Sequence, residues 1–391
     1  MDILIVGAGI AGSALACALR DSGLKIALID KSDQPLDTAR GDHLQPFSCD
    51  ILERWGVLDD FFAAGAEKRA GATWFTNQGE EILRSSVVHL DIPHPYFAFI
   101  NHEKIASIMM DAALQTDDIS CLRPVRNWWP DESAHSSHCI RVGLPGGTEV
   151  RIRCKMIVGA DGRQSRVRQT YGLPFASHRY ERSIAVFFAA EQIENQDRFL
   201  KVYLGDDVTT SVIPRTGQNC KIGVPVSMDE ARSWRAIRDG DLANRLLEIC
   251  PMLRISEVVF ADVYAPVFLQ AESWVNDSVV LIGDACHAMH PARSQGMNIS
   301  IRCIDTLADI LGNAGAPLAG SVVTKALAAY EDAMKTPVDA LLHDNHQWGL
   351  QMDRADAGAN QSLQAKLESI QSSPAALEAY SMQSAGYGDL V

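Results

Sequence analysis

Short, unbroken apolar runs punctuate this chain. Asp2–Val6, Lys25–Ile29, Met156–Val158 and Ser278–Ile282 are each only a few residues long, with little polar alternation. Runs of that kind predict strands buried on both faces of a parallel sheet. After the first run the period lengthens. It predicts a helix from about Ile10 to Asp21, with Leu15 and Leu19 one turn apart on its apolar face and Gly23 as its stop. A second helix is predicted from about Gly296, with Met297, Ile301, Ile304 and Leu307 as its apolar positions. Residues 176–261 read differently. "SIAVFFAAEQ", "FLKVYLG" and "TTSVIPRTGQNCKIGVPVS" alternate apolar with polar positions, which predicts an antiparallel sheet. "TWFTNQGEEILRS" predicts a hairpin turning across Asn77-Gln78-Gly79. The Trp128-Trp129 pair reads as packing or a strand edge. The polar, alanine-rich tail from Asp353 reads as a loosely docked helix or an interaction arm.

The turn between the first strand and the first helix carries chemistry. Gly7, Gly9 and Gly12 form GxGxxG. The first glycine permits the tight turn, the second lets a pyrophosphate approach the backbone, and the third lets helix and strand pack closely. The N–H groups of the helix start, at Ile10 and Ala11, present the positive end of the helix dipole to phosphate. Asp30 closes the second strand about twenty residues on, where an acid accepts hydrogen bonds from a ribose 2′-OH, and Lys31 follows it. The whole unit therefore predicts a dinucleotide site. An acid at position 30 argues against a 2′-phosphate there.

Composition narrows the picture. The chain has 391 residues, 47% hydrophobic and 21% charged, with a formal net charge of −14. That suits one large two-lobed protein or two to three domains, and disfavours nucleic acid or an anionic membrane as the main partner. No apolar run approaches the ~20 residues that span a bilayer, and no positive n-region opens the chain. The nine cysteines are scattered, with no CxxC. They suit reduced, buried thiols in a cytoplasmic protein. His287/His290 and His343/His346 both read HxxH, but no carboxylate or cysteine cluster completes a site, so no metal is expected.

Two later stretches specify the cofactor. In "KMIVGADGRQSRVR" a strand runs into Gly159-Ala160-Asp161-Gly162, followed by Arg163, Arg166 and Arg168. In "SVVLIGDACHAMHPARSQGMN" a strand ends at Gly283-Asp284, and Pro291 and Gln295-Gly296-Met297-Asn298 follow. With GxGxxG these occur in the order and approximate spacing of a known family. The chain resembles the single-component FAD-dependent aromatic hydroxylases and their relatives, the class A flavoprotein monooxygenases. "ARGDHLQP" and "YEDAMKTPVDALL" add two weaker matches.

The resemblance implies a Rossmann-like, glutathione-reductase-like α/β FAD-binding domain with an inserted antiparallel substrate sheet and C-terminal helices. It implies the boundaries 1–71, 98–175 and 262–345 for the cofactor domain, 72–97 and 176–261 for the substrate sheet, and 346–391 for a helical tail. It implies FAD contacts at Arg40, near the pyrophosphate, and at Asp161, Asp284, Gly296, Met297 and Asn298. Asp284 would accept from a ribityl hydroxyl, and the helix start at 296–298 would stabilise charge on the reduced ring. Pro291, lacking an N–H, would line the reactive face. Pro291 and Gly296 are thus the candidate catalytic positions. His287 would be a structural hydrogen-bonding residue. NADH or NADPH would reduce FAD, a C4a-hydroperoxide would form with O2, and one oxygen atom would pass to a small aromatic or heteroaromatic substrate. The chain would act as monomer or homodimer. A same-fold reductase or dehydrogenase, or a non-catalytic FAD-binding redox sensor, are the rival readings.

This chain departs from the family pattern at two places. Ser294 stands where the P-x-x-G-Q-G loop has glycine, which predicts less freedom to reach positive φ. Arg293 beside it is then a substrate-facing charge or, preferably, a solvated one. His102 stands where the family commonly has arginine or glutamine against FAD. It opens a helix and remains a candidate phosphate donor.

Overall fold

The structure, a computed structural model, describes residues 1–35, 42–131, 138–191, 199–205, 208–217, 219–237, 239–318, 320–353 and 357–388. The expected site residue Arg40 lies outside these described residues.

The four apolar runs become the centre of a six-stranded sheet ordered Val275–Asn276, Val279–Leu281, Met156–Gly159, Ile3–Val6, Ile26–Ile29 and Ile119–Leu122. All neighbours are parallel except the outermost pair, Val275–Asn276 with Val279–Leu281. Every residue of Ile3–Val6, Ile26–Ile29 and Met156–Gly159 is buried, because layers cover both faces. The helices Ile10–Ala18, His102–Ala113 and Gly296–Ala314 pack along this sheet within one core. The first helix is shorter than its periodicity predicts. Past Ala18 the turns tighten to three-residue bonds, Arg20 N–H to the Cys17 carbonyl at 3.3 Å and Ser22 N–H to the Leu19 carbonyl at 3.0 Å, which the Ser22 hydroxyl also reaches at 2.6 Å.

The alternating segments form a seven-stranded sheet ordered Ile255–Tyr264, Ser183–Glu191, Asn219–Val226, Thr209–Pro214, Phe199–Leu204, Gly71–Thr76 and Glu81–Ser86. The hairpin across Asn77–Gly79 joins it through a parallel pairing, Leu200 opposite Ala72, that alternation alone does not reveal. One face buries Phe187, Ile222 and Val224 under the helices Met228–Ala236 and Asp239–Ile249, which supply Trp234, Leu242 and Leu246. The other face is left for the site.

The tail is more firmly docked than its polarity predicts. Gly320–Asp353 is one helix that continues through residue 346 without a break. Helices Ala357–Gln371 and Pro374–Ala385 follow it. Leu363 and Leu367 are buried among Trp74, Leu83, Val202 and Trp348. Burial of two leucines stabilises the docking by roughly 1.5–3 kcal/mol each. Among the described residues no helix is long and apolar enough to cross a membrane.

Candidate functional site

Register brings the chemistry to one end of the six-stranded sheet. Val6 lies opposite both Gly159 and Ile29, and Gly159 lies opposite Leu281. The three glycine-containing turns therefore leave the sheet side by side, at the carboxyl ends where α/β sheets bind ligands. The approach is close. Gly7 has φ +107°, and a Cβ placed there would stand 2.4 Å from the Ala160 carbonyl oxygen. No L-residue other than glycine fits that contact.

A cavity of about 410 Å³ lies between these turns and the free face of the seven-stranded sheet. Gly9, Ile10 and Ala11 line it from the first helix, Asp284 from the third turn, and Pro291, Gly296 and Met297 from the loop and helix beyond. His102, at the start of its helix, lines it too, and its N–H donates to Asp42 Oδ1 at 3.1 Å. These expected residues, far apart in sequence, meet around one space large enough to test for a cofactor. The fit to a dinucleotide is good. A Cβ at Gly9 would have open space around it, so backbone lies bare toward the cavity. Next to this wall Asp161 has a buried Oδ1 with no partner among the described residues.

Other expected residues lie behind this wall and brace it. Asp30 Oδ2 accepts from the Ala8 N–H at 2.6 Å and its Oδ1 from the Ser32 N–H at 2.8 Å, so the acid holds the glycine turn in shape. Lys31 is exposed beside it. Asp161 Oδ2 accepts from the N–H groups of Arg166 and Val167 at 2.7 and 3.1 Å, capping the short helix Arg166–Thr170. Gly7 and Gly12 sit under the turn. Asn298 is buried off the cavity. Its Oδ1 accepts from the Gln45 N–H and the Ser48 hydroxyl, each at 2.8 Å, and its Nδ2 donates to the Ser294 carbonyl at 3.1 Å. That side chain ties the helix start to the segment after Arg40.

The structure corrects several expectations. Ser294 does adopt the left-handed region, φ 52° and ψ 33°, held between its N–H to the Pro291 carbonyl and its own carbonyl to Asn298. Arg293 is neither substrate-facing nor solvated. Its Nη1 donates to Asp344 at 2.6 Å, its Nη2 to Gln383 at 2.7 Å, and its guanidinium lies over Trp348. The C-terminal helices thus grip the Pro291–Arg293 turn. Arg168 is the last of the three arginines that follow Asp161-Gly162. It is buried and donates to the Ala285 and Arg163 carbonyls at 2.7 and 2.8 Å, which joins the second turn to the third. Among the described residues the His287 side chain makes no hydrogen bond. Both ring nitrogens lack partners among the described residues, and the ring packs 5.6 Å from Trp274.

Sequence reasoning missed a charged hub at the cavity edge. Lys221 lines the cavity, and its ammonium stands 2.8 Å from Asp42 Oδ2. Arg215 Nε lies 3.6 Å from the same oxygen. Burial raises the Asp42 carboxyl above its ordinary value, and Lys221 and Arg215 pull it back only in part. The available signal was a lone lysine in "NCKIGVPV", on the face opposite buried Cys220, Ile222 and Val224.

Burial also pushes the imidazoles of His43, His287 and His290 down from 6.5 to about 4. These groups are neutral when folded and protonate more readily when unfolded, so stability is full above pH 6.5 and is lost as the pH falls toward 4. At pH 5 each should cost about 2 kcal/mol. The urea midpoint should drop between pH 7.5 and 5, and a His287→Phe variant should show a shallower drop. An identical pH dependence in that variant would remove His287 from the account.

Comparisons with known proteins agree with this geometry. The sequence profile described as "FAD binding domain" matches residues 1–344. The chain is 25% identical over 323 residues to the 6-methylpretetramide 4-monooxygenase of Streptomyces rimosus, covering 77% of this chain and 72% of that protein. It is 26% identical over 328 residues to a ubiquinone hydroxylase of Neisseria meningitidis, covering 79% and 68%. Among solved structures, p-nitrophenol 4-monooxygenase of Pseudomonas putida superposes with a TM-score of 0.81 over 99% of this chain and 98% of that one, at 16% identity.

Proposed function

The chain belongs to the FAD binding domain family, and from that premise we propose that it is a single-component monooxygenase. It consumes NADH or NADPH and inserts one atom of O2 into a small aromatic or heteroaromatic substrate. The observation that carries this reading is the shared cavity. Backbone suited to a dinucleotide forms one side of it, and a largely apolar sheet forms the other. A pure electron carrier has no use for that second, enclosed wall. The relatives described as monooxygenases and hydroxylases support the same reading.

Bound FAD supplies the two-electron chemistry and the activation of dioxygen. The chain's own residues bind, orient and exclude water. The N–H groups at Ile10 and Ala11 would hold the phosphates of FAD, and the Asp284 carboxylate would accept from a ribityl hydroxyl. The helix start at Gly296 and Met297 would stabilise negative charge on the ring edge by its dipole. Pro291 offers no N–H to compete with the reacting oxygen. Arg163 lines the same cavity, at the edge where a nicotinamide nucleotide would dock transiently.

The test is direct. Protein loaded with FAD should oxidise NADH or NADPH slowly alone and faster with an added phenol or hydroxylated heteroaromatic. Product formed under 18O2 should carry one labelled atom. Stimulated oxidation without labelled product would favour a reductase, and FAD binding without any turnover a redox sensor.

A further inference from the structure

His290 sits directly before Pro291 and lines the cavity, yet the reaction outlined above gives it no task. We propose that His290 is a substrate-binding residue whose Nε2–H donates to a hydroxyl or phenolate oxygen on an aromatic ring. The inference rests on the monooxygenase reading and names the substrate class for that site.

Three observations carry it. The tautomer is set locally, because Nδ1 accepts from the Ala292 N–H at 3.2 Å and so leaves the proton on Nε2. The ring is held in place. A Cβ at Gly349 would stand 2.8 Å from His290 Cβ and 2.9 Å from Cγ, so the long helix lies flush against the imidazole. The Tyr180 ring meets its face edge-on at 4.7 Å, while the Tyr180 hydroxyl is engaged with His346 Nδ1 at 2.8 Å. Finally, His290 is 4% exposed as a residue and lines the cavity. An oriented N–H at the wall of a largely apolar cavity is open to an acceptor carried by a ligand.

The sheet wall is mostly apolar, with Ile184, Val186, Leu200, Val202 and Ile213; the Ser211 hydroxyl donates to the Gly223 carbonyl at 3.3 Å, and the Asp353 carboxylate at the rim already accepts from the Glu181 and Arg182 N–H groups at 2.8 and 2.7 Å. Burial keeps the imidazole neutral at physiological pH, so it donates without adding charge beside the ring. A neutral donor to a phenolate oxygen leaves the ring electron-rich, as oxygen insertion requires.

Two measurements test this on the FAD-loaded full chain. In the first, 15N-imidazole NMR should show His290 as the Nε2–H tautomer at pH 7. Its signal should move when 4-nitrophenol is added and stay put with nitrobenzene. An Nδ1–H tautomer, or movement on FAD loading with none on adding phenol, overturns the proposal. In the second, binding of a panel of phenols and their deoxy counterparts is followed by flavin absorbance. The parent should prefer the oxygenated member of each pair by tenfold or more. His290→Phe should bring the two within about twofold, and His290→Gln should restore part of the preference. Retention of the preference in His290→Phe, or a parent that holds FAD but binds no phenol, also overturns it. A parent that cannot hold FAD would instead strike the monooxygenase reading beneath it.

Discussion

A Gly9→Val variant should fold as the parent does and purify without flavin colour. The argument is geometric. Gly9 sits at the helix start with φ −75°, an ordinary conformation for any residue, and a Cβ there meets nothing within 4 Å of protein. The apoprotein therefore has no steric reason to object. The empty space is the space a pyrophosphate needs, so an added side chain competes with the ligand alone. FAD affinity should fall at least about a hundredfold, near 3 kcal/mol, while the thermal midpoint of the apoprotein moves by only a few degrees. Gly12 is the contrast. A Cβ there would lie 1.9 Å from the Gly7 carbonyl oxygen, inside the fold itself. Gly12→Val should lower stability and FAD affinity together. Titration of both apoproteins with FAD, beside thermal melts, separates the cases. A yellow Gly9→Val protein with full flavin occupancy would refute the placement of the dinucleotide over that turn.

The contrast between those glycines shows which parts of this molecule are legible in one dimension. The β-α-β unit is local. Its strand lengths, glycine spacing and terminal acid lie within about thirty residues, and each has a physical reason readable in place. The second and third turns were legible for the same reason, as strands ending in Gly-Asp or Asp-Gly. The helices Met228–Ala236 and Asp239–Ile249 are missed when residues 176–261 are read throughout as strands, although a local signal is present. Ser227 and Glu230 form a capping box, with Glu230 N–H to Ser227 Oγ at 3.2 Å and Ser227 N–H to Glu230 Oε2 at 2.6 Å. What spacing does not reveal is who meets whom across the fold. Arg293 looks solvated in its loop and is drawn out of solvent because distant helices supply Asp344, Trp348 and, ninety residues later, Gln383. Arg168 looks like one of three surface cations, and its carbonyl partner lies 117 residues on. The strain expected at Ser294 is real, but tertiary contacts outweigh it.

The same non-locality governs the second large effect, at Asp42. Asp42→Ala should destabilise the protein by about 3–5 kcal/mol, because it leaves the Lys221 ammonium buried without its counter-ion. Asp42 is 0% exposed and the Lys221 side chain 2%. Asp42 also caps the His102 helix and accepts the approach of Arg215, so its loss loosens three elements that meet at the cavity edge. The effect belongs to the pair more than to the acid. Replacing both charges, as Asp42→Ala with Lys221→Met, removes the stranded ammonium and keeps much of the apolar bulk. The double variant should recover more than half of the lost stability, although Arg215 still faces the vacated position. Urea unfolding of the two single variants and the double variant closes the cycle. Additive losses, with no recovery in the double variant, would mean that Lys221 reaches water or another acceptor when Asp42 is gone. The coupling would then lie in the His102 helix cap and not in the ion pair. A coupling energy of 2 kcal/mol or more, on the scale expected for buried charge pairs, would place the strap between the cofactor wall and the substrate sheet at these two side chains.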